Sequence, residues 1–231
     1  MMNTNGITLG KCLRSFLFGA LLLGATSQAA LATVMLTSSR AAIGPGYTVD
    51  WGAPSPTDLT SLGSPFTQGA VTVSGGTDFA LFSGSSFNAG FLATDWILSL
   101  YDLTNFNPVS GIFSINFGTA VSSAGAQVQS NLFGAFTGMI SAFDAANALL
   151  GTFNVSGSTG TNGDGSAVFA GITSDSLNIS RIEFSGFGDG AGINQLSVGN
   201  TVTTVTEPAT LLLLMGPLAF LIVARRRRGR A

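Results

Sequence analysis

The chain has 231 residues, a formal charge of −2 and no histidine. Its one cysteine, Cys12, and its one lysine, Lys11, both lie close to the start. A Ser-His-Asp triad is therefore excluded, and beyond Cys12 the chain has neither a thiol nor an amine side chain to act as nucleophile or base.

Lys11 and Arg14 stand ahead of the apolar run Ser15 to Ala25, and the small residues Ser27, Ala29, Ala30 and Ala32 come after it. A basic flank, a short apolar core and a small-residue exit predict a secretory signal peptide over residues 1–32. It is helical in its apolar part and cleaved after Ala29, Ala30 or Ala32. Near the other end, the apolar run 209–224 is followed by Arg225, Arg226, Arg227, Arg228 and Arg230. As a helix that run reaches about 24 Å, slightly less than the roughly 30 Å hydrocarbon core, and Gly216 and Pro217 interrupt it. A transmembrane helix is expected there, with the arginines held on the cytoplasmic side.

Between these ends, residues 33–206 are expected on the far side of the membrane. Of the nine basic residues only Arg40 and Arg181 fall in this segment, against ten acids, which leaves it at −8. Such a balance opposes nucleic acid and anionic lipid as partners and is compatible with divalent cations or neutral glycans. After cleavage no cysteine remains, so a packed core rather than disulfides has to hold the segment together.

Residues 33–69 are rich in Pro, Gly, Ser and Thr, with Pro45, Pro54, Pro56 and Pro65 spaced among Tyr47, Trp51 and Phe66. They read as a lead-in segment, partly ordered because Trp51 and Phe66 gain by docking on the strand-rich domain beyond residue 69. From Ala70 short apolar or alternating runs recur about every ten residues between Gly, Ser, Asn and Asp clusters. They predict strands at 70–74, 79–82, 96–102, 112–117, 126–129, 136–143, 149–155, 167–172, 177–185 and 193–198. No helical periodicity persists over three turns, and no repeat of fixed period emerges. The class is all-β, a single antiparallel β-sandwich over residues 70–200.

Candidate chemistry is sparse. Asn162, Asp164 and Ser166, alternating with Gly163 and Gly165, partly resemble a calcium loop without the first Asp and the distant Glu of an EF-hand; the alternative is a plain Gly-rich hairpin loop. Asp189, between Gly188 and Gly190, is a second candidate metal ligand. Glu183 is the single Glu of the exported segment and lies two residues after Arg181, a spacing that suits a surface ion pair or a device against edge pairing. Glycoside hydrolysis would need two carboxylates held about 5–10 Å apart in a cleft. Tyr47, Trp51, Trp96 and Tyr101 are the aromatic side chains available to stack on a sugar. Trp96 lies within an apolar strand and is expected in the core.

The tail resembles the PEP-CTERM sorting signal. Val205, Thr206, Glu207 and Pro208 stand for its Val-Pro-Glu-Pro, with Thr206 at the first proline, and the membrane run and the cluster Arg225 to Arg228 come next. The resemblance covers about 26 residues, and the sorting-signal segment is assigned to residues 201–231. It implies that an exosortase-type transpeptidase recognises Glu207 and Pro208 at the inner membrane of a Gram-negative bacterium and delivers the protein to the cell surface or the exopolysaccharide matrix. Residues 111–199 also resemble the jelly-roll, galactose-binding-like modules found upstream of such tails, with Asn194 and Gln195 where that pattern usually has acids. Together these features predict an exported, non-catalytic envelope or matrix protein that binds no nucleic acid and requires no cofactor. The alternative is a carbohydrate-binding module, with or without structural calcium, and a glycan-active enzyme is a weaker third.

Overall fold

The computed structural model describes residues 32–52, 56–76, 78–87, 90–160 and 163–201. The candidate signal peptide up to residue 31, the membrane run and the sorting residues Glu207, Pro208 and Arg225 to Arg228 lie outside the described residues. Among the described residues no helix is long and apolar enough to cross a membrane.

The strands are, in chain order, β1 (Val34–Thr37), β2 (Gly46–Val49), β3 (Thr60–Ser61), β4 (Phe66–Gln68), β5 (Val71–Ser74), β6 (Phe79–Ser83), β7 (Trp96–Asp102), β8 (Asn107–Pro108), β9 (Ile112–Val121), β10 (Ser123–Gln129), β11 (Gly134–Phe143), β12 (Leu149–Thr159), β13 (Val168–Ser174), β14 (Ile179–Ser185), β15 (Gly192–Ile193) and β16 (Leu196–Gly199). Among the described residues one turn of 3-10 helix, Arg40–Ile43, is the remaining element. All pairings are antiparallel and make two sheets. The larger sheet has ten strands, with the path β1-β13-β10-β15-β7-β6-β3, and β16 joins β10 to β2. The smaller runs β12-β11-β14-β9-β5-β4. The described residues are all-β, as the spacing of short apolar runs predicts.

Alternation explains how the sheets face each other. Along β10 the side chains of Ala124, Ala126 and Val128 enter the central core, which leaves Ser123, Gly125, Gln127 and Gln129 on the outer face. From the smaller sheet Phe113, Ile115, Ile182 and Phe184 meet them, each at most 1% exposed. Edge-to-face and tilted contacts run from Trp51 to Phe66, Phe79 and Phe113, with ring centroids 6.3, 5.6 and 5.8 Å apart. These rings supply much of the apolar burial that must replace disulfides.

Residues 33–69 are more than a lead-in. β1 pairs with β13, β2 with β16, β3 with β6 and β4 with β5, so the segment contributes to both sheets. Trp51 and Phe66 dock as expected, Trp51 being 1% exposed. Its strands are two to four residues long, too short to show alternation between their prolines and glycines. The expected strand 193–198 is also different: it breaks into β15 and β16 at Asn194 and Gln195.

A second, smaller core lies apart from the first. Phe82, Phe87, Phe91, Ile97, Ala80 and Ala167 cluster and pin the segment between β6 and β7. This satellite core sets the position of Asp95 and Trp96, where β7 begins.

Candidate functional site

The break between β15 and β16 turns Asn194 into the hub of a polar network. Its backbone N–H donates to the Gln127 carbonyl at 3.1 Å, and its own carbonyl accepts the Trp51 indole N–H at 2.8 Å. The side-chain oxygen accepts from Arg40 Nη2 and from the Gln127 backbone N–H, each at 3.1 Å. The side-chain nitrogen donates to Gln127 Oε1 at 2.6 Å and to Asp95 Oδ2 at 3.2 Å. Asn194 is 3% exposed, so these bonds replace water that the side chain has lost. Among the described residues no buried side-chain polar atom lacks a partner.

Arg40 reaches the network from the 3-10 helix. Its Nη1 donates to the Gln195 carbonyl at 3.0 Å and to Ser197 Oγ at 2.6 Å, and its guanidinium lies 5.2 Å from the centre of the Phe169 ring. Burial pulls the Arg40 pKa below its ordinary value, while the charge of Asp95 works in the opposite direction. Gln127 is fixed from the other side, donating to the carbonyls of Gly165 and Ala167 at 3.0 and 2.9 Å. Asp95 Oδ2 also accepts the Leu92 N–H at 3.1 Å. Groups from four separate stretches of the chain thereby converge on one place.

Above this network is a cleft of about 210 Å³ lined by Arg40, Asp50, Asp95, Trp96, Gln127 and Gln195 among others. Trp96 is partly buried: it packs against the main core, as expected of it, and also forms part of the cleft wall. Its register opposite Ser83 puts it at the end of the β6-β7 pairing, where the apolar strand meets the cleft. Gly52 lies against its indole so closely that a Cβ there would be 1.9 Å from Trp96 Cδ1. The cleft thus combines one aromatic wall, two carboxylates, amide groups of both polarities and one guanidinium. That inventory suits a ligand dense in hydroxyl groups with an apolar ring face.

Two other clefts lie nearby. One of about 320 Å³ is lined by Arg40, Tyr47, Thr48, Gln195 and Ser197 among others, and it shares Arg40 and Gln195 with the first. Burial raises the Tyr47 pKa above its ordinary value. The other, about 350 Å³ and lined by Met35, Ile43, Pro45 and Ser122 among others, has no ionisable side chain.

The remaining sequence candidates are dispersed. Asp164, between β12 and β13, accepts the Ser166 N–H at 3.0 Å in a local turn, and Asn162 lies outside the described residues. Asp189 is exposed in the turn between β14 and β15. Among the described residues no three acidic, cysteine or histidine side chains gather in a way that would hold a metal ion. Arg181 and Glu183 do form an ion pair, on β14 in the smaller sheet, with Arg181 also donating to Asn147 Oδ1 at 2.7 Å and lying 3.9 Å from the centre of the Phe143 ring. The Tyr101 hydroxyl donates to the Phe106 carbonyl at 2.8 Å, and its ring packs on Phe82. Trp51 is core. Of the four aromatic candidates, Trp96 and Tyr47 line the polar clefts.

Arg40 and Asn194 were not legible as site residues. For Arg40 the available signal was its isolation as one of two cations in an acidic segment; for Asn194 there was only the amide pair interrupting an apolar run.

No family model and no curated protein matches the chain. Among solved structures it is similar to CsCBM6-3 from Clostridium stercorarium in complex with cellobiose, with 14% identity and a TM-score of 0.32 over 67% of this chain and 94% of that one. It is also similar to a family 29 carbohydrate-binding module, with 14% identity and a TM-score of 0.33 over 66% of this chain and 96% of that one. A third similarity is to a glycoside hydrolase family 43 arabinoxylan arabinofuranohydrolase from Bacillus subtilis in complex with cellotetraose, with 15% identity and a TM-score of 0.30, covering 58% of this chain and 29% of that one.

Proposed function

We propose that this chain is a non-catalytic carbohydrate-binding β-sandwich of the jelly-roll, galactose-binding-like kind, and that the Trp96 cleft is its binding site. The observation that carries this reading is the pairing of a partly buried indole with a fixed polar network, Arg40, Asn194, Gln127 and Asp95, at the bottom of one cleft. The indole stacks on the apolar face of a pyranose ring, and Asp50, Asp95 and Gln127 exchange hydrogen bonds with its hydroxyl groups. In this account the two carboxylates accept hydrogen bonds and do not act as acid and base.

The same proposal includes delivery. Export through residues 1–32 and exosortase processing at Glu207 and Pro208, with Arg225 to Arg228 as the retention signal, bring the sandwich to the cell surface or into the exopolysaccharide matrix. Binding to glycan there gives it a structural or adhesive role.

A glycan array probed with the full chain in detergent, beside Trp96→Ala, tests the binding reading. Selective binding by the wild type that Trp96→Ala loses supports it. Absence of binding, or binding indifferent to Trp96, overturns it. Release of reducing sugar from a bound glycan, lost on replacement of Asp50 or Asp95, would turn the reading into one of hydrolysis.

A further inference from the structure

The two clefts that share Arg40 and Gln195 differ in charge. The Trp96 cleft contains Asp50 and Asp95, whereas the lining of its neighbour has no acidic residue and presents Tyr47, Thr48 and Ser197. In a segment with ten acids and two cations, the neighbour combines one of those cations with an acid-free wall.

The two cations are used differently. Arg181 is ion-paired with Glu183. Arg40 has no carboxylate within ion-pair distance among the described residues, and its three protein hydrogen bonds go to neutral oxygens of Gln195, Ser197 and Asn194. A guanidinium has five N–H donors. Two on Nη1 and one on Nη2 are taken by these bonds, which leaves Nε–H and the second Nη2–H without an acceptor among the described residues. Two such donors match the two oxygens of a carboxylate.

We propose that the acid-free cleft is a subsite for the carboxylate of a hexuronic acid, adjoining the neutral hexose held against Trp96. This rests on the carbohydrate reading above and names its ligand class: an acidic polysaccharide in which a hexuronate neighbours a neutral sugar. The Tyr47 hydroxyl supplies a further donor at the same cleft. The −8 charge of the segment does not forbid such a ligand. At physiological ionic strength charges beyond about 8 Å are largely screened, whereas the Arg40 contact is made at hydrogen-bond distance.

Calorimetric titration of the full chain in detergent tests the subsite, using oligosaccharides of alternating hexose and hexuronate beside the same oligosaccharides with their carboxyl groups reduced. Wild type is expected to bind the acidic form about tenfold more tightly than the reduced form. Thr48 is exposed and stands opposite Ser197 in the β2-β16 pairing, so Thr48→Asp puts a carboxylate into the acid-free cleft beside a partner of Arg40. It is expected to weaken the acidic ligand about tenfold while leaving the reduced ligand within about twofold, and Thr48→Asn should leave both near wild type. Equal affinity for the two forms, or loss of both in Thr48→Asp, overturns the hexuronate subsite while the carbohydrate reading stands. Failure of both forms to bind overturns the two readings together.

Discussion

The Arg40 guanidinium donates to the side-chain oxygen of Asn194 at 3.1 Å, across 154 residues of sequence. This bond ties the 3-10 helix to the break between β15 and β16, and it does so at the floor of the candidate cleft. Geometry there depends on keeping the Asn194 side chain fully partnered.

Asn194→Ala is therefore expected to destabilise the fold by about 2–4 kcal/mol, because it strips a buried acceptor from Arg40 and a donor from Gln127 and Asp95 at once. Chemical denaturation with far-ultraviolet circular dichroism measures this. A loss below about 0.5 kcal/mol would show that the network does not hold the cleft together.

Gly52→Ala probes the wall rather than the floor. The added methyl meets the Trp96 indole at 1.9 Å, well inside contact distance, so the indole has to move. Glycan affinity should fall at least about tenfold, as it should for Trp96→Ala, since a tryptophan anchor often carries about 2 kcal/mol or more of a binding site's energy. Unchanged affinity in both variants would place binding elsewhere.

Trp51 and Trp96 should separate cleanly by substitution. Trp51 is buried, touches Phe66 and donates to Asn194, so Trp51→Ala is expected to cost about 3–5 kcal/mol of stability. Trp96→Ala, at a partly exposed position, should cost less than half as much. Thermal melts of the two variants compare them directly.

Acid sensitivity has one assignable contribution. Hydrogen bonds from the Asn105 side chain and backbone, and from the Thr104 backbone, hold the Asp102 carboxyl below its ordinary pKa. A depressed folded-state pKa stabilises the fold above the unfolded value, about 3.9, and that contribution disappears as the pH falls through the lower folded value. Carboxyl carbon shifts followed by NMR should show Asp102 titrating below the usual aspartate range, and Asn105→Ala should move it back up.

The strand-rich body was legible because each long strand carries its own pattern. Phe113, Ile115 and Phe117 alternate within β9, and Trp96–Asp102 is bounded as its apolar run predicts. The strands of residues 33–69 were not, since pairs and triplets such as Thr60–Ser61 and Phe66–Gln68 take their structure from partners far along the chain. The site was harder still. Its members come from positions 40, 95, 127 and 194, and only the pairing of β10 with β15 and β16 brings two of them together. Trp96 packs against the core, as the tryptophan of an apolar strand normally does; here the strand also ends at a cleft, and the ring is left partly uncovered. The amides Asn194 and Gln195 look inert in sequence, yet Asn194 offers donor and acceptor at once, which an ionised acid at that position would not.

Binding of carbohydrate against Trp96 is the central claim. Acrylamide quenching of tryptophan fluorescence addresses it directly, because Trp51 is already shielded and the quenchable signal belongs to Trp96. Saturating glycan, selected on the array, should protect that signal, and Gly52→Ala should abolish the protection. Quenching that stays the same while the glycan is demonstrably bound would contradict the account.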